Sequence, residues 1–138
     1  MMLRLIILIT SPLLSITAAA EEPSDVTVNL TAEIISNIRK ASAVLNAPVL
    51  SVTSEGNNSP IECKVYDPSN PTANVYKIGL TGLVSDDNFD FQFLIENLKM
   101  LPDDYRLSIS SKLISQWEGI NNNVKYWIAL EKNSTYAK

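Results

Sequence analysis

From residue 25 to residue 34 the chain reads D-V-T-V-N-L-T-A-E-I, with Val26, Val28, Leu30, Ala32 and Ile34 at every second position and mostly polar residues between. Side chains on a strand point to opposite faces in turn, so this stretch predicts a strand with one apolar and one polar row. A second pattern overlaps it. Ile34, Ile35, Ile38, Ala41 and Leu45 fall at helical spacing, Thr31 can cap a helix, and Glu33 suits its first turn. Strict alternation favours a strand to Ile34 followed by a short helical turn or irregular stretch. The competing reading is a helix over 31–46, stopped before Pro48.

Beyond Pro48 the period is two. Short apolar runs begin at Val49, Ile61 and Tyr76, broken by E-G-N-N-S-P and D-P-S-N-P-T. Phe89, Phe91, Phe93 and Ile95 line one face of the next run and mark core. Leu107 and Ile109, then Leu113 and Trp117, then Val124, Tyr126, Ile128 and Leu130 complete the series, the last after a G-I-N-N-N turn. This spacing predicts an all-β fold, an immunoglobulin-like antiparallel β-sandwich of about seven strands over 26–138. If 31–46 is helical the fold becomes α+β, one helix packed on an antiparallel meander. Tyr105, directly after L-P-D-D, is the candidate structural corner, with its ring inward and its hydroxyl on upstream backbone.

The first 20 residues read differently. Arg4 gives a basic start, an apolar run extends from Leu5 to Ile16, and Ala18-Ala19-Ala20 closes it. That is a signal-peptide layout, with residues 21–25 as a flexible leader and export to periplasm, cell surface or medium as the expectation. Pro12 interrupts the run, and a spanning helix needs about 20 apolar residues, so stable membrane insertion is not expected after cleavage.

Charge and composition narrow the chemistry. The net charge is −4 and no basic cluster with interleaved aromatics occurs, which argues against nucleic acid as a partner. Without histidine the usual general base is missing, and Ser-His-Asp or Cys-His catalysis is excluded. Asp86-Asp87 and Asp103-Asp104 fall in turns, where Asp serves its own backbone. Asp86, Asn88 and Asp90 begin a calcium-loop spacing, but Phe91 and Asn97 stand where Gly and Glu are needed. No catalytic residue, metal site or cofactor is expected, and the chain reads as a non-enzyme. Cys63 is the single cysteine and reads as a small buried apolar residue. Trp117 and Trp127 flank the 119–123 turn, and Trp127, predicted to face outward, is the candidate partner contact with Trp117 beside it.

The segment V-T-V-N-L-T-A-E-I resembles the mature N-termini of fimbrial (pilin) subunits of Gram-negative bacteria, and P-D-D-Y-R-L-S-I resembles their tyrosine-led closing strand. The resemblance implies an exported structural or adhesive subunit. Val26, Val28, Leu30, Ala32 and Ile34 would then be a donor strand that fills a groove in a neighbouring subunit or assembly chaperone. The alternative is a monomeric periplasmic or secreted binding module whose sandwich is complete.

Overall fold

A computed structural model describes residues 5–9 and 24–137. The expected cleavage point after Ala20, and the leader up to residue 23, lie outside the described residues. Leu5–Ile9 forms strand β1. The elements that follow are β2 (Val26–Leu30), α1 (Ala32–Leu45), β3 (Val49–Glu55), β4 (Ser59–Tyr66), β5 (Tyr76–Ser85) and β6 (Asn88–Leu94). A single helical turn at Ile95–Asn97 leads to β7 (Tyr105–Ser110), β8 (Ile114–Gly119), β9 (Val124–Ala129) and β10 (Thr135–Ala137).

The alternating strand ends at Leu30, and its Val26, Val28 and Leu30 are buried while Thr27 and Asn29 are exposed. Ala32 and Ile34 belong instead to α1. Capping decides the competition. Thr31 is extended (φ −74°, ψ 159°), and its Oγ1 accepts from the Ile34 N–H at 3.2 Å. Asp104, far along the sequence, accepts from the Ala32 N–H at 2.7 Å and so satisfies a second free helix donor. Ile34, Ile35, Ile38, Ala41 and Leu45 then pack onto the core, and Asn46 closes the helix in the left-handed region (φ 52°). The donor-strand expectation is corrected here. The strand is not spare, because Val26–Leu30 pairs antiparallel with β7 in its own chain.

Two five-stranded sheets hold the strands, in the orders β1-β9-β8-β7-β2 and β10-β6-β3-β4-β5. The order contains a repeat. A unit of strand, crossover and three-strand meander occurs as β2-α1-β3-β4-β5 and again as β6, the 95–104 connection and β7-β8-β9. Each unit lends its first strand to the other's sheet, so β2 lies beside β7 and β6 beside β3. The expectation of a β-rich, mainly antiparallel chain holds. The helix-free immunoglobulin-like order is corrected to two sheets with one long helical crossover, nearer to the helix-on-meander alternative.

Inward rows of both sheets form one core, and Phe93 meets Trp117 edge-on between the sheets at 5.6 Å. Cys63 is wholly buried in β4, and burial pushes its thiol up to about 12. Gly56 (φ 81°) turns β3 into β4 where a Cβ would stand 3.1 Å from the Asp86 carbonyl.

Candidate functional site

The two crossovers lie side by side on the molecule. Exposed on α1 are Glu33, Ser36, Arg39, Lys40, Ala43 and Val44, and exposed on the neighbouring connection are Glu96, Lys99, Leu101 and Pro102. A groove of about 430 Å³ runs between α1 and the 100–103 corner, with Ile35, Arg39, Lys40 and Leu101 among its walls. A second, of about 390 Å³, brings Arg39 and Ser42 of α1 together with Glu96 and Lys99. Arg39 and Ala43 line both and stand between them.

The layer carries charge of both signs. Its exposed cations are Arg39, Lys40 and Lys99, against exposed Glu33 and Glu96, while the chain as a whole carries −4. The layer's other two carboxylates are turned to internal work. Asp104 caps α1. Asp103 is 5% exposed and accepts from the Asp104 N–H at 2.7 Å, the Asn122 N–H at 2.8 Å, the Asn121 side-chain amide at 2.8 Å and the Asn121 N–H at 3.1 Å. Burial pushes its pKa up, yet these four donors together outweigh burial and leave the carboxyl below its usual range. The Asp103-Asp104 pair thus ties the corner, the start of α1 and the β8–β9 turn into one rigid unit.

The residues singled out in the sequence are scattered by comparison. Val26, Val28 and Leu30 are core, Ala32 and Ile34 are helical, and none is presented to a partner as a strand face. Tyr105 is 1% exposed, and its hydroxyl donates to the Leu101 carbonyl at 2.5 Å, fixing the corner from within. Trp117 is fully buried, donates its indole N–H to Ser115 Oγ at 3.0 Å, and has no surface to offer a partner. Trp127 lies on the other face of its sheet, half-buried, with the Lys125 ammonium 5.7 Å from its ring centre. Among the described residues no group of three or more Cys, Asp or Glu could hold a metal ion. Arg39, Lys40 and Lys99 do not read as a site in the sequence because the fold assembles them. Their one local signal is the adjacent pair Arg39-Lys40.

Residues 27–132 match the family described as gp45 sliding clamp, C terminal, and the chain belongs to that family. A relative is the sliding clamp of Vibrio phage KVP40 (isolate Vibrio parahaemolyticus/Japan/Matsuzaki/1991), 28% identical over 103 residues. The alignment takes in 75% of this chain and 46% of that protein, so the chain spans about half the relative's length.

This membership corrects the fimbrial resemblance and the adhesive-subunit role drawn from it, and also the alternative periplasmic-module role, the exported location expected from the apolar start, and the exclusion of nucleic acid read from net charge. The match runs through both segments that carried the resemblance. An alternating strand before a buried row is a property of any half-buried strand, and a tyrosine-led strand after a Pro-Asp corner is nearly as general. Within the apolar run at the start, residues 5–9 form a strand paired with β9. Among the described residues no helix is long and apolar enough to cross a membrane.

Proposed function

We propose that the chain serves as the C-terminal domain of a sliding clamp, a non-enzymatic DNA replication factor that holds polymerase partners on duplex DNA. The crossover layer, α1 with the 95–104 connection, faces the duplex. The observation that carries this reading is the family match over 27–132, together with the three exposed cations Arg39, Lys40 and Lys99 that the fold brings to that one layer.

The charge distribution suits sliding. Phosphate contacts from Arg and Lys carry no sequence information, so a duplex can move past them from one register to the next. Three such cations supply weak, salt-sensitive attraction, and the net negative charge of the rest opposes adhesion of DNA to the sheet faces. The absence of histidine supports a role without chemistry. Leu101, Pro102 and the α1 face are held in place by the Asp103 and Asp104 hydrogen bonds, which makes the layer a preformed surface.

Site-specific cross-linking tests the assignment. A photoreactive group is placed at Lys40→Cys, at Lys99→Cys and, as controls on the sheets, at Lys64→Cys and Lys77→Cys. The native Cys63 is buried and stays unlabelled. Cross-links to duplex DNA are expected from positions 40 and 99 and not from 64 or 77. DNA captured from the sheet positions alone would contradict the orientation.

A further inference from the structure

Charges of opposite sign stand at different heights along the crossover layer. The 95–104 connection runs against α1, and its first carboxylate, Glu96, shares a groove with Ala43 and Pro48 at the far end of the helix. Its last, Asp104, accepts from the Ala32 N–H at the helix start. Glu33 stands in that same first turn. The exposed cations fall between. Arg39 and Lys40 are in the middle of α1, and Lys99 is midway along the connection, lining one groove with Arg39. We propose that Glu33 and Asp104 on one side, and Glu96 on the other, fence phosphate out of the two ends of the layer, so that the duplex backbone crosses it along the band of Arg39, Lys40 and Lys99. The inference rests on the reading of this layer as the DNA-facing one, and it adds the path of the strand and the residues that position it.

The start of α1 is where phosphate would otherwise settle. A helix N-terminus carries free N–H donors and the positive end of the macrodipole, and anions bind there readily. Here the Ala32 N–H is taken by Asp104 at 2.7 Å and the Ile34 N–H by Thr31 Oγ1 at 3.2 Å. Thr31 already caps the helix. The carboxylate brought from the other crossover adds a negative charge, and Glu33 adds a second.

Distance keeps the two signs apart. Lys40 lies seven residues after Glu33, nearly two turns and about 10 Å along the axis, so the two share a face. That is about one screening length at physiological salt, enough for the band to attract a phosphate that the helix start repels. Glu96, three residues before Lys99, does the same at the opposite end. Like charges brought together penalise wrong placements, which fixes register more than it adds affinity. The band touches phosphate alone, so the confined strand stays free to slide.

The test measures binding of the full chain to a labelled linear duplex by fluorescence anisotropy across a salt series. Three variants are compared with it. Glu33→Gln/Glu96→Gln/Asp104→Asn removes the fence. Glu55→Gln/Glu62→Gln/Asp86→Asn, on β3, β4 and the β5–β6 turn, changes the net charge by the same amount away from the layer. Arg39→Ala/Lys40→Ala/Lys99→Ala removes the band. Asn caps a helix about as well as Asp, so the start of α1 is kept, and Glu33→Gln/Glu96→Gln replaces the first variant if its thermal midpoint falls. Removing the fence is expected to tighten binding about tenfold at low salt and to steepen the log–log slope by roughly 0.9 for each phosphate newly engaged. The charge-matched control should stay within about twofold of the full chain. A fence variant no tighter than that control, while Arg39, Lys40 and Lys99 still govern binding, overturns the fence and leaves the DNA-facing reading standing. Binding indifferent to the loss of Arg39, Lys40 and Lys99 overturns both.

Discussion

Asp103→Ala is the substitution whose effect follows most directly from the geometry. The carboxylate accepts from the main-chain N–H groups of Asp104, Asn121 and Asn122 and from the Asn121 side-chain amide, all between 2.7 and 3.1 Å. A hydrogen bond to a charged group is worth about 1.5–3 kcal/mol net, but the β8–β9 turn is exposed at Asn121 and Asn122, and water can replace part of the loss. The four bonds share one acceptor and are not additive, so the expected cost is about 2–4 kcal/mol. Chemical denaturation should show a lower midpoint at unchanged slope. Because the folded-state pKa lies below the unfolded value, the wild-type carboxylate contributes fully above about pH 4 and loses its contribution as pH falls through the folded pKa. The difference between wild type and Asp103→Ala should therefore shrink below about pH 4. A difference under about 0.5 kcal/mol at neutral pH, or one that grows in acid, would refute the reasoning.

Four further outcomes follow. Replacing Arg39, Lys40 and Lys99 together by Ala should flatten the salt dependence of DNA binding, by about 0.9 in the log–log slope for each phosphate no longer neutralised, with no change in thermal stability. Thr31→Ala should cost about 1 kcal/mol and increase amide exchange in the first turn of α1, measured by hydrogen exchange and denaturation. Gly119→Ala places a Cβ 2.7 Å from Asp103 Oδ2 and should destabilise by about 1–3 kcal/mol, an effect that falls sharply in the Asp103→Ala background. Cys63, buried with its thiol raised to about 12, should resist a thiol reagent in the native protein at pH 8 and react at once in denaturant.

The sequence made the sheets legible where burial is one-sided. Phe89, Phe91 and Phe93 on one row, and Val124, Tyr126 and Ile128 on another, mark inward faces that the structure places in the core. Tyr105 and the 119–123 turn were equally local signals. The helix was harder, because Ala32 and Ile34 satisfy both periods and the deciding cap includes Asp104, 72 residues from its donor. Strand order was out of reach, since the exchange of β2 and β6 between two similar units leaves no mark on either strand's own pattern. The basic layer was hidden for a related reason: two of its cations are adjacent and the third is supplied by the other unit's crossover. Net charge then pointed the wrong way, because an average over the whole chain says nothing of where Arg39, Lys40 and Lys99 stand.

The central claim, that this domain works around duplex DNA as part of a clamp, is tested most directly by topology. The protein is assembled on closed circular duplex and passed through gel filtration in high salt, before and after a single-cut nuclease linearises the circle. The account predicts that the protein stays with the circle in salt that dissolves electrostatic contacts, and leaves once an end is available. Release from the intact circle by salt alone, or equal retention on circular and linear DNA, would contradict it.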